Sequence, residues 1–217
     1  MNKPYNITAI VLAAGRGLRA GGPGPKQWQP LMGKSLITRA IESFLKHPLV
    51  TQVVVVHHRD DRDLLSQLPS GARYVAGGLN RGDSVRCALA AIEPLNPDYV
   101  LIHDAARPCL DQRLLSDCIV SMLAHDAAAP AVAVQDTLWR GTDQVLDVID
   151  RAQVFRAQTP QCFKYELINS AHKSAGFSAT DDVQIARAAG HPVAIVPGKE
   201  DNIKVTLPGD FARAEQI

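Results

Sequence analysis

The segment Ala9–Trp28, AIVLAAGRGLRAGGPGPKQW, decides the fold and raises the question of function. Its apolar run Ile10–Leu12 stops at a stretch with five glycines, two prolines and three cations, Arg16, Arg19 and Lys26. In open α/β sheets ligands bind beyond the carboxyl ends of strands, and glycine-rich turns let backbone N–H groups approach anions. The stretch is therefore typical of a polyphosphate-binding loop. The alternative is a mobile surface loop.

The rest of the chain alternates between two kinds of segment. Helical spacing of apolar residues follows Ser35, Ser84 and Asp111, with Ser35 as an N-cap. Nearly continuous apolar runs indicate strands buried on both faces, and their alternation with helices predicts an α/β fold. We expect a Rossmann-like, mostly parallel twisted sheet with helices on both faces. The predicted strands are Ile7–Leu12, Gln52–Val56, Arg73–Val75, Tyr99–His103, Ala131–Val134 and Val193–Val196.

One region departs from this rhythm. Residues 136–160, DTLWRGTDQVLDVIDRAQVFRAQTP, alternate polar and apolar residues around the turn-like Gly141-Thr142-Asp143. This pattern predicts a β-hairpin arm rather than another strand–helix unit. An arm with so many apolar residues needs a surface to pack against. We expect a single domain over residues 1–217 with this arm protruding from it.

Composition excludes several classes of protein. The net charge is +1, from 23 basic and 22 acidic residues, which argues against binding to nucleic acid or to a membrane surface. No apolar run reaches the roughly 18 residues of a membrane span, and no secretory cleavage site precedes the first motif. The cysteines form no CxxC pair, which indicates reduced thiols and a cytoplasmic location. They are Cys87, Cys109, Cys118 and Cys162.

Two nucleotide motifs match only in part. Gly15–Ala20 fits the dinucleotide pattern GxGxxA, but that pattern needs a helix to open at once, and the glycines and prolines of residues 21–25 prevent one. Gly33-Lys34-Ser35 resembles the end of a phosphate-binding P-loop. Its first glycine would fall on Trp28. Neither motif is supported.

Other predicted strand ends also carry polar residues. YVLIHDAARP, residues 99–108, places Asp104 and Arg107 at the same edge. An aspartate beside a polyphosphate is a natural Mg²⁺ ligand, and the alternative is that Asp104 caps a turn and pairs with Arg107. GGLNRGDSV, residues 77–85, follows another strand. EDNIKVT, residues 200–206, contains Lys204, which taken alone suits a solvated surface.

Taken together, these motifs resemble one family. LAAGRGLR, PKQ, GGLNRGDSV, HDAARP, QDT, TPQ, TDD and DNIKVT, in this order, are similar to the 2-C-methyl-D-erythritol 4-phosphate cytidylyltransferases. LAAGxGxR is shared by many sugar-nucleotide pyrophosphorylases, whereas its combination with HDAARP and DNIKVT is much narrower. The resemblance implies that CTP and a polyol phosphate give a CDP-alcohol and pyrophosphate, with Mg²⁺ (or Mn²⁺) as cofactor. Trp28 stands where the family often has tyrosine, and Leu79 where it often has a small or polar residue.

The resemblance also implies residue roles. Catalytic cations are Arg19, Lys26 and Lys204, and the metal ligand is Asp104. Nucleotide contacts are Ala13, Ala14, Gly15, Gly17, Gly78, Arg81, Ser84, Asp104 and Ala105. Acceptor contacts are Arg107, Thr137, Arg151, Thr159, Thr180 and Asp181. The family further implies a homodimer in which the arm reaches the partner's active site.

Three alternatives remain open at this point. A ribitol-5-phosphate cytidylyltransferase would share the fold, CTP and most motifs. A sugar-1-phosphate uridylyl- or thymidylyltransferase is weakened by HDAARP. A non-catalytic nucleotide-binding regulator would be expected to lose Lys26, Asp104 or Lys204, and all three are present.

Overall fold

The computed structural model describes residues 5–17, 24–176 and 179–217, so the prediction for Arg19 lies outside the described residues. The strands are β1 Ile7–Ala13, β2 Pro30–Leu31, β3 Lys34–Ser35, β4 Gln52–His57, β5 Ala72–Ala76, β6 Tyr99–Asp104, β7 Ala127–Ala133, β8 Leu138–Gly141, β9 Val145–Ile149, β10 Phe155–Ala157, β11 Gln161–Lys164 and β12 Ala194–Pro197. The helices are α1 Leu36–Leu45, α2 Arg81–Ile92, α3 Gln112–His125, α4 Tyr165–Ser174, α5 Asp182–Ala188 and α6 Pro208–Glu215.

The central sheet confirms the predicted fold class. Its strand order is β10-β7-β11-β6-β1-β4-β5, with β12 paired to β7. The pairs β1–β4, β1–β6, β4–β5 and β7–β12 are parallel, while β11 and β10 run antiparallel to their neighbours. Because β4, β1 and β6 are parallel neighbours, their carboxyl ends meet at one edge, where the loop after Ala13 also begins.

Both faces of the sheet are covered. Alternate residues of β1 point to opposite sides, so Ala9 and Val11 pack with α1 and α3 while Ile10 packs with α2 and α4. All three residues are fully buried. This explains the nearly continuous apolar runs, since a strand between two helical layers has no solvent-facing side.

Two predicted element starts were wrong by more than one residue. Helix α2 begins at Arg81, three residues before Ser84, because the Asn80 side chain accepts a hydrogen bond from Asp83 N at 2.9 Å and caps it. Strand β7 begins at Ala127 rather than Ala131. Its alanine-rich start reads equally well as a continuation of α3, and the left-handed backbone of Asp126 separates the two elements.

The predicted hairpin is confirmed over Leu138–Ile149, but the arm predicted over residues 136–160 was too long, because Phe155–Ala157 pairs with β7 in the central sheet. Strands β8 and β9 pair only with each other among the described strands, and residues 142–144 connect them directly after Gly141, where the register shifts. Its apolar side chains face outward: Trp139 is 68% exposed and Leu146 is 76% exposed. The hairpin therefore has apolar surface left uncovered by its own chain. Within the described part of the chain, no helix has the length and apolar character needed to cross a membrane.

Candidate active site

A cavity of about 300 Å³ lies at the carboxyl edge of β1 and β6. Every residue predicted to contact the nucleotide lines this cavity, together with Lys26 and Lys204. The lining residues are Leu12, Ala13, Ala14, Gly15, Gly17, Lys26, Gln27, Gly78, Leu79, Asn80, Arg81, Ser84, Asp104, Ala105, Ala106 and Lys204. The sheet thus brings together motifs from both ends of the chain, as expected for strand ends that share one edge.

Gly17, at the start of the glycine-rich loop, lies directly against Lys26. Gly17 has a φ of +61°, and a Cβ atom built there would lie 2.6 Å from Lys26 Cγ. Only glycine permits this approach, because a side chain would be strained and would collide with the lysine stem. Lys26 itself lies in a 3₁₀ turn, Lys26–Trp28, and its Nζ donates to the Val205 carbonyl at 2.7 Å.

The start of α2 forms the opposite wall. A Cβ on Gly78 would lie 2.3 Å from Asp83 Cβ, so glycine is required for the loop to pass this close to the helix. Gly78 N donates to Ser84 Oγ at 3.2 Å, and that hydroxyl donates to Asn80 O at 2.9 Å. Ser84 therefore holds the loop against the helix, and Arg81 enters the cavity from the first helical position.

Asp104 is the electrostatic centre of the cavity. Its carboxylate lies 2.6 Å from Lys204 Nζ and 3.6 Å from Arg81 Nε. Burial by itself would raise the pKa of Asp104, but the charges of Lys204 and Arg81 outweigh it and lower the pKa to about 2. The carboxylate is therefore ionised at neutral pH and available to a cation.

The alternative interpretation of the HDAARP motif is correct for the turn at Asp104 but wrong for the ion pair, because the Arg107 side chain does not pair with Asp104. Its guanidinium donates to the carbonyls of Asn202 at 2.6 Å and Ala157 at 3.0 Å. Only the backbone forms the expected turn, with Arg107 N donating to Asp104 O at 2.9 Å. Arg107 thus ties the turn after β6 to two other loops.

His103 and Thr159 support Asp104 from behind, a role that the sequence did not reveal for His103. His103 is fully buried, which lowers its pKa to about 4 and keeps the ring neutral. Its Nε2 lies 3.0 Å from Arg107 O and therefore carries the proton, so Nδ1 accepts from Thr159 Oγ1 at 3.0 Å. The same threonine oxygen accepts from Asp104 N at 3.2 Å. Thr159 is thus hydrogen-bonded within its own chain, and its predicted acceptor contact stays a prediction.

A second cavity of about 350 Å³ adjoins the first through Asn80 and Arg81. Arg81 Nη1 lies 2.8 Å from Asp182 Oδ2, and His172 Nε2 lies 2.9 Å from Asp182 Oδ1. Asp181 also lines this cavity and caps α5, while Thr180 precedes it. The sequence singled out TDD, residues 180–182, but not the contact of its last aspartate with Arg81.

The predicted acceptor residues of the arm lie elsewhere. Thr137 and Arg151 are exposed and line neither cavity. Arg151 donates a hydrogen bond to the Gln135 carbonyl at the base of the arm. One chain therefore gathers the predicted nucleotide contacts but not these two acceptor contacts.

Known proteins share this architecture and sequence. The family model of 2-C-methyl-D-erythritol 4-phosphate cytidylyltransferase matches residues 7–217. The chain is 48% identical over 214 residues to the enzyme of that name from Cereibacter sphaeroides, covering 96% of this chain and 95% of that protein. It is 49% identical over 216 residues to the Roseobacter denitrificans enzyme, covering 97% and 96%.

Solved structures agree with these sequence matches. The 2-C-methyl-D-erythritol 4-phosphate cytidylyltransferase of Thermus thermophilus superposes with a TM-score of 0.80 at 30% identity, over 95% of this chain and 96% of that one. A crystal structure of 4-diphosphocytidyl-2C-methyl-D-erythritol synthase gives a TM-score of 0.86 at 27% identity, over 98% of both chains. The chain therefore belongs to the 2-C-methyl-D-erythritol 4-phosphate cytidylyltransferase family of CTP-dependent nucleotidyltransferases.

Proposed function

We propose that the cavity around Asp104 binds CTP and joins its cytidylyl group to 2-C-methyl-D-erythritol 4-phosphate. The products are 4-CDP-2-C-methyl-D-erythritol and pyrophosphate. The observation that carries the proposal is the convergence of glycine-rich backbone, Lys26, Arg81 and Lys204 around one ionised carboxylate. The family match favours this acceptor over ribitol 5-phosphate.

The chemistry requires charge stabilisation rather than a general base. A phosphate oxygen of the acceptor attacks the α-phosphorus of CTP, and the bond from that phosphorus to the bridging oxygen breaks as pyrophosphate leaves. The attacking phosphate is already largely ionised at pH 7, because its second pKa is about 6. What remains is to bring two anions together and to stabilise the charge of the pentavalent transition state.

The cations of the site suit that task. We assign Lys26 and Lys204 to the phosphates of CTP and of the reacting centre, since both line the cavity and their stems come from different loops. Arg19 is assigned to the triphosphate by its place in the LAAGRGLR motif alone. Backbone N–H groups of residues 13–17 are assigned to the phosphates and the nucleoside. Gly78, whose own N–H donates to Ser84 Oγ, is assigned to the nucleotide only as a position of close approach.

Asp104 fits a single-carboxylate Mg²⁺ site. Among the described residues no group of three or more His, Cys, Asp or Glu side chains forms a metal cage, which suits an ion held mainly by nucleotide oxygens. Its low pKa keeps Asp104 anionic, and Lys204 would exchange part of its contact with Asp104 for phosphate. Bound Mg²⁺ would neutralise charge on the phosphates; Mn²⁺ is the alternative ion.

We further propose that the acceptor half of the site is completed by a second subunit. Arg107, Thr159, Thr180 and Asp181 lie near the sheet edge, whereas Thr137 and Arg151 lie on the exposed arm. The uncovered apolar side chains Trp139 and Leu146 would be buried if the arm crossed to a partner. An isologous homodimer would then give two equivalent sites.

A pyrophosphate-release assay that crosses four nucleoside triphosphates with 2-C-methyl-D-erythritol 4-phosphate and ribitol 5-phosphate tests the proposed reaction. The expected result is release only with CTP and the methylerythritol phosphate, and none in excess chelator. Faster turnover of ribitol 5-phosphate would contradict the acceptor assignment, and full activity in chelator would contradict the metal assignment.

We also propose a cytoplasmic location for the enzyme, because its four cysteines are free thiols.

A further inference from the structure

We infer that Asp61 is a positioning residue for the nucleotide site, holding both described ends of the glycine-rich loop and thereby setting the place of Lys26. The inference rests on the proposed function of that cavity. Asp61 belongs to the 3₁₀ segment Arg59–Gln67 that follows β4, and no motif in the sequence pointed to it.

The carboxylate of Asp61 receives hydrogen bonds from both sides of the loop. On one side Arg16, between Gly15 and Gly17, places Nη1 3.0 Å from Oδ1. On the other side Trp28 Nε1 donates to Oδ2 at 2.8 Å. A single carboxylate therefore links Arg16, which precedes residues 18–23 in the sequence, to Trp28, which lies two positions after Lys26.

Gln27 adds a third tie. Its Nε2 lies 3.4 Å from Asp61 Oδ2 and donates at 2.9 Å to the carbonyl of Ala13, the last residue of β1. Gln27 directly follows Lys26, so its side chain couples the lysine backbone to the strand end that starts the cavity. Both Asp61 and Gln27 are only 3% exposed.

Because Asp61 is buried, its carboxylate depends on these three donors. A buried carboxylate without partners would be costly, so the three donors must stay near Asp61, and this fixes where the described ends of the loop lie. Lys26 is then placed between two fixed points, Gly17 packed on its stem and Gln27 bonded to Asp61. A purely stabilising role would affect folding alone, whereas a positioning role also predicts a change in catalysis that passes through Lys26.

The first test is Asp61→Asn, with Asp60→Asn as the matched control from the same segment, where the side chain is 72% exposed. We expect Asp61→Asn to lower kcat for CTP turnover roughly 10- to 100-fold, as for a displaced catalytic group. The KM for the acceptor should change by less than about threefold, because the acceptor contacts are elsewhere. Asp60→Asn should match the wild type.

The second test asks whether the effect passes through Lys26. In a Lys26→Ala background, adding Asp61→Asn should cost less than about threefold more in kcat, since the positioned group is already gone. Losses that multiply in full would overturn the inference. If Asp61→Asn does not fold, Trp28→Phe and Arg16→Gln keep the carboxylate and remove one donor each, and wild-type kcat in both would overturn it equally.

A spectroscopic readout separates loop geometry from folding. In a Trp139→Phe background Trp28 is the remaining tryptophan. Its emission should shift on Asp61→Asn. The control Asp60→Asn should leave both the emission and the thermal midpoint unchanged. Unshifted emission together with wild-type kcat would refute the inference. A wild-type enzyme without pyrophosphate release would instead contradict the proposed function, so the two failures are distinguishable.

Discussion

The sheet edge and the arm differ in which side chains they enclose and which they expose. At the edge, charged groups such as Asp104, whose side chain is 14% exposed, are paired within the subunit. On the arm, apolar groups such as Leu146 are exposed and unpaired with the core. A charge removed from water must be paired within the folded subunit. Exposed apolar surface stabilises the protein only when another surface covers it. The residues predicted to contact the nucleotide therefore converge within one chain, whereas the arm keeps apolar surface that the proposed second subunit would cover.

The largest expected effect lies on the edge side of this comparison. Lys26→Ala should lower kcat by roughly 10²- to 10³-fold, as for the loss of one transition-state electrostatic contact. Steady-state pyrophosphate release measures it. Lys34→Ala is the matched control, because Lys34 is half-exposed and pairs with Glu42 away from the cavity. A Lys26 variant within tenfold of wild type would reduce this lysine to a structural contact.

The buried His103 beside Asp104 should make the stability of the protein depend on pH. His103 has its pKa lowered by burial from 6.5 to about 4, so the folded protein keeps it neutral where the unfolded chain takes up a proton. Its contribution to stability is therefore present above pH 6.5 and lost as the pH falls towards 4, by up to roughly 1.4 kcal/mol per pH unit.

Urea unfolding between pH 4.5 and 7.5 measures this dependence. His103→Gln should flatten the curve in that window relative to wild type. The arm contains no histidine, so its substitutions should leave the slope unchanged. Equal slopes in wild type and His103→Gln would mean that another group, such as the buried His47 whose pKa burial also lowers, dominates the titration.

A complementation experiment tests whether the edge and the arm that form one site come from different subunits. If Lys26 serves its own subunit and Arg151 serves the neighbour, a mixed dimer of Lys26→Ala and Arg151→Ala has one site with both lesions and one with none. With random reassociation half the dimers are mixed, so activity should recover to about a quarter of wild type. No recovery after proven subunit exchange would place Arg151 in its own subunit's site or outside it.

The smallest expected effect is on the arm. Leu146→Ala should change the unfolding free energy of the dilute chain by less than about 0.5 kcal/mol, because the side chain is 76% exposed, yet it should weaken self-association. Leu101→Ala, at a fully buried position, should cost about 2–5 kcal/mol at any concentration. Sedimentation velocity and chemical unfolding over a concentration series distinguish them. A large loss for Leu146→Ala in the dilute chain would mean that the arm packs on its own subunit.

Most of the fold was predictable because its signals are local. The strand Gln52–His57 shows its burial in its own composition, and Ser35 shows its capping role by the helical spacing that follows it. Errors arose where local signals compete. The start of β7 is rich in alanine, a good helix former, and only pairing with β11 and β12 makes it a strand.

The site was predictable in part for a different reason. Motifs at strand ends indicated Gly15, Lys26 and Asp104, since parallel strands deliver their carboxyl ends to one edge. Lys204 taken alone suited a solvated surface, and its contact with Asp104 spans 100 positions. Asp61 carried no signal at all, because a single aspartate in a charged segment looks like surface.

The sequence by itself determined most strands of the central sheet, the helix starts at Ser35 and Asp111 and the hairpin, and it predicted phosphate binding by the first loop. Each follows from residues within about ten positions, through periodicity, capping and turn chemistry. Only the tertiary structure decided that Lys204 meets Asp104, that His103 supports it, and that Asp61 joins Arg16 to Trp28. These contacts depend on strand order and on how loops pack over the sheet edge, and chain spacing carries no record of either.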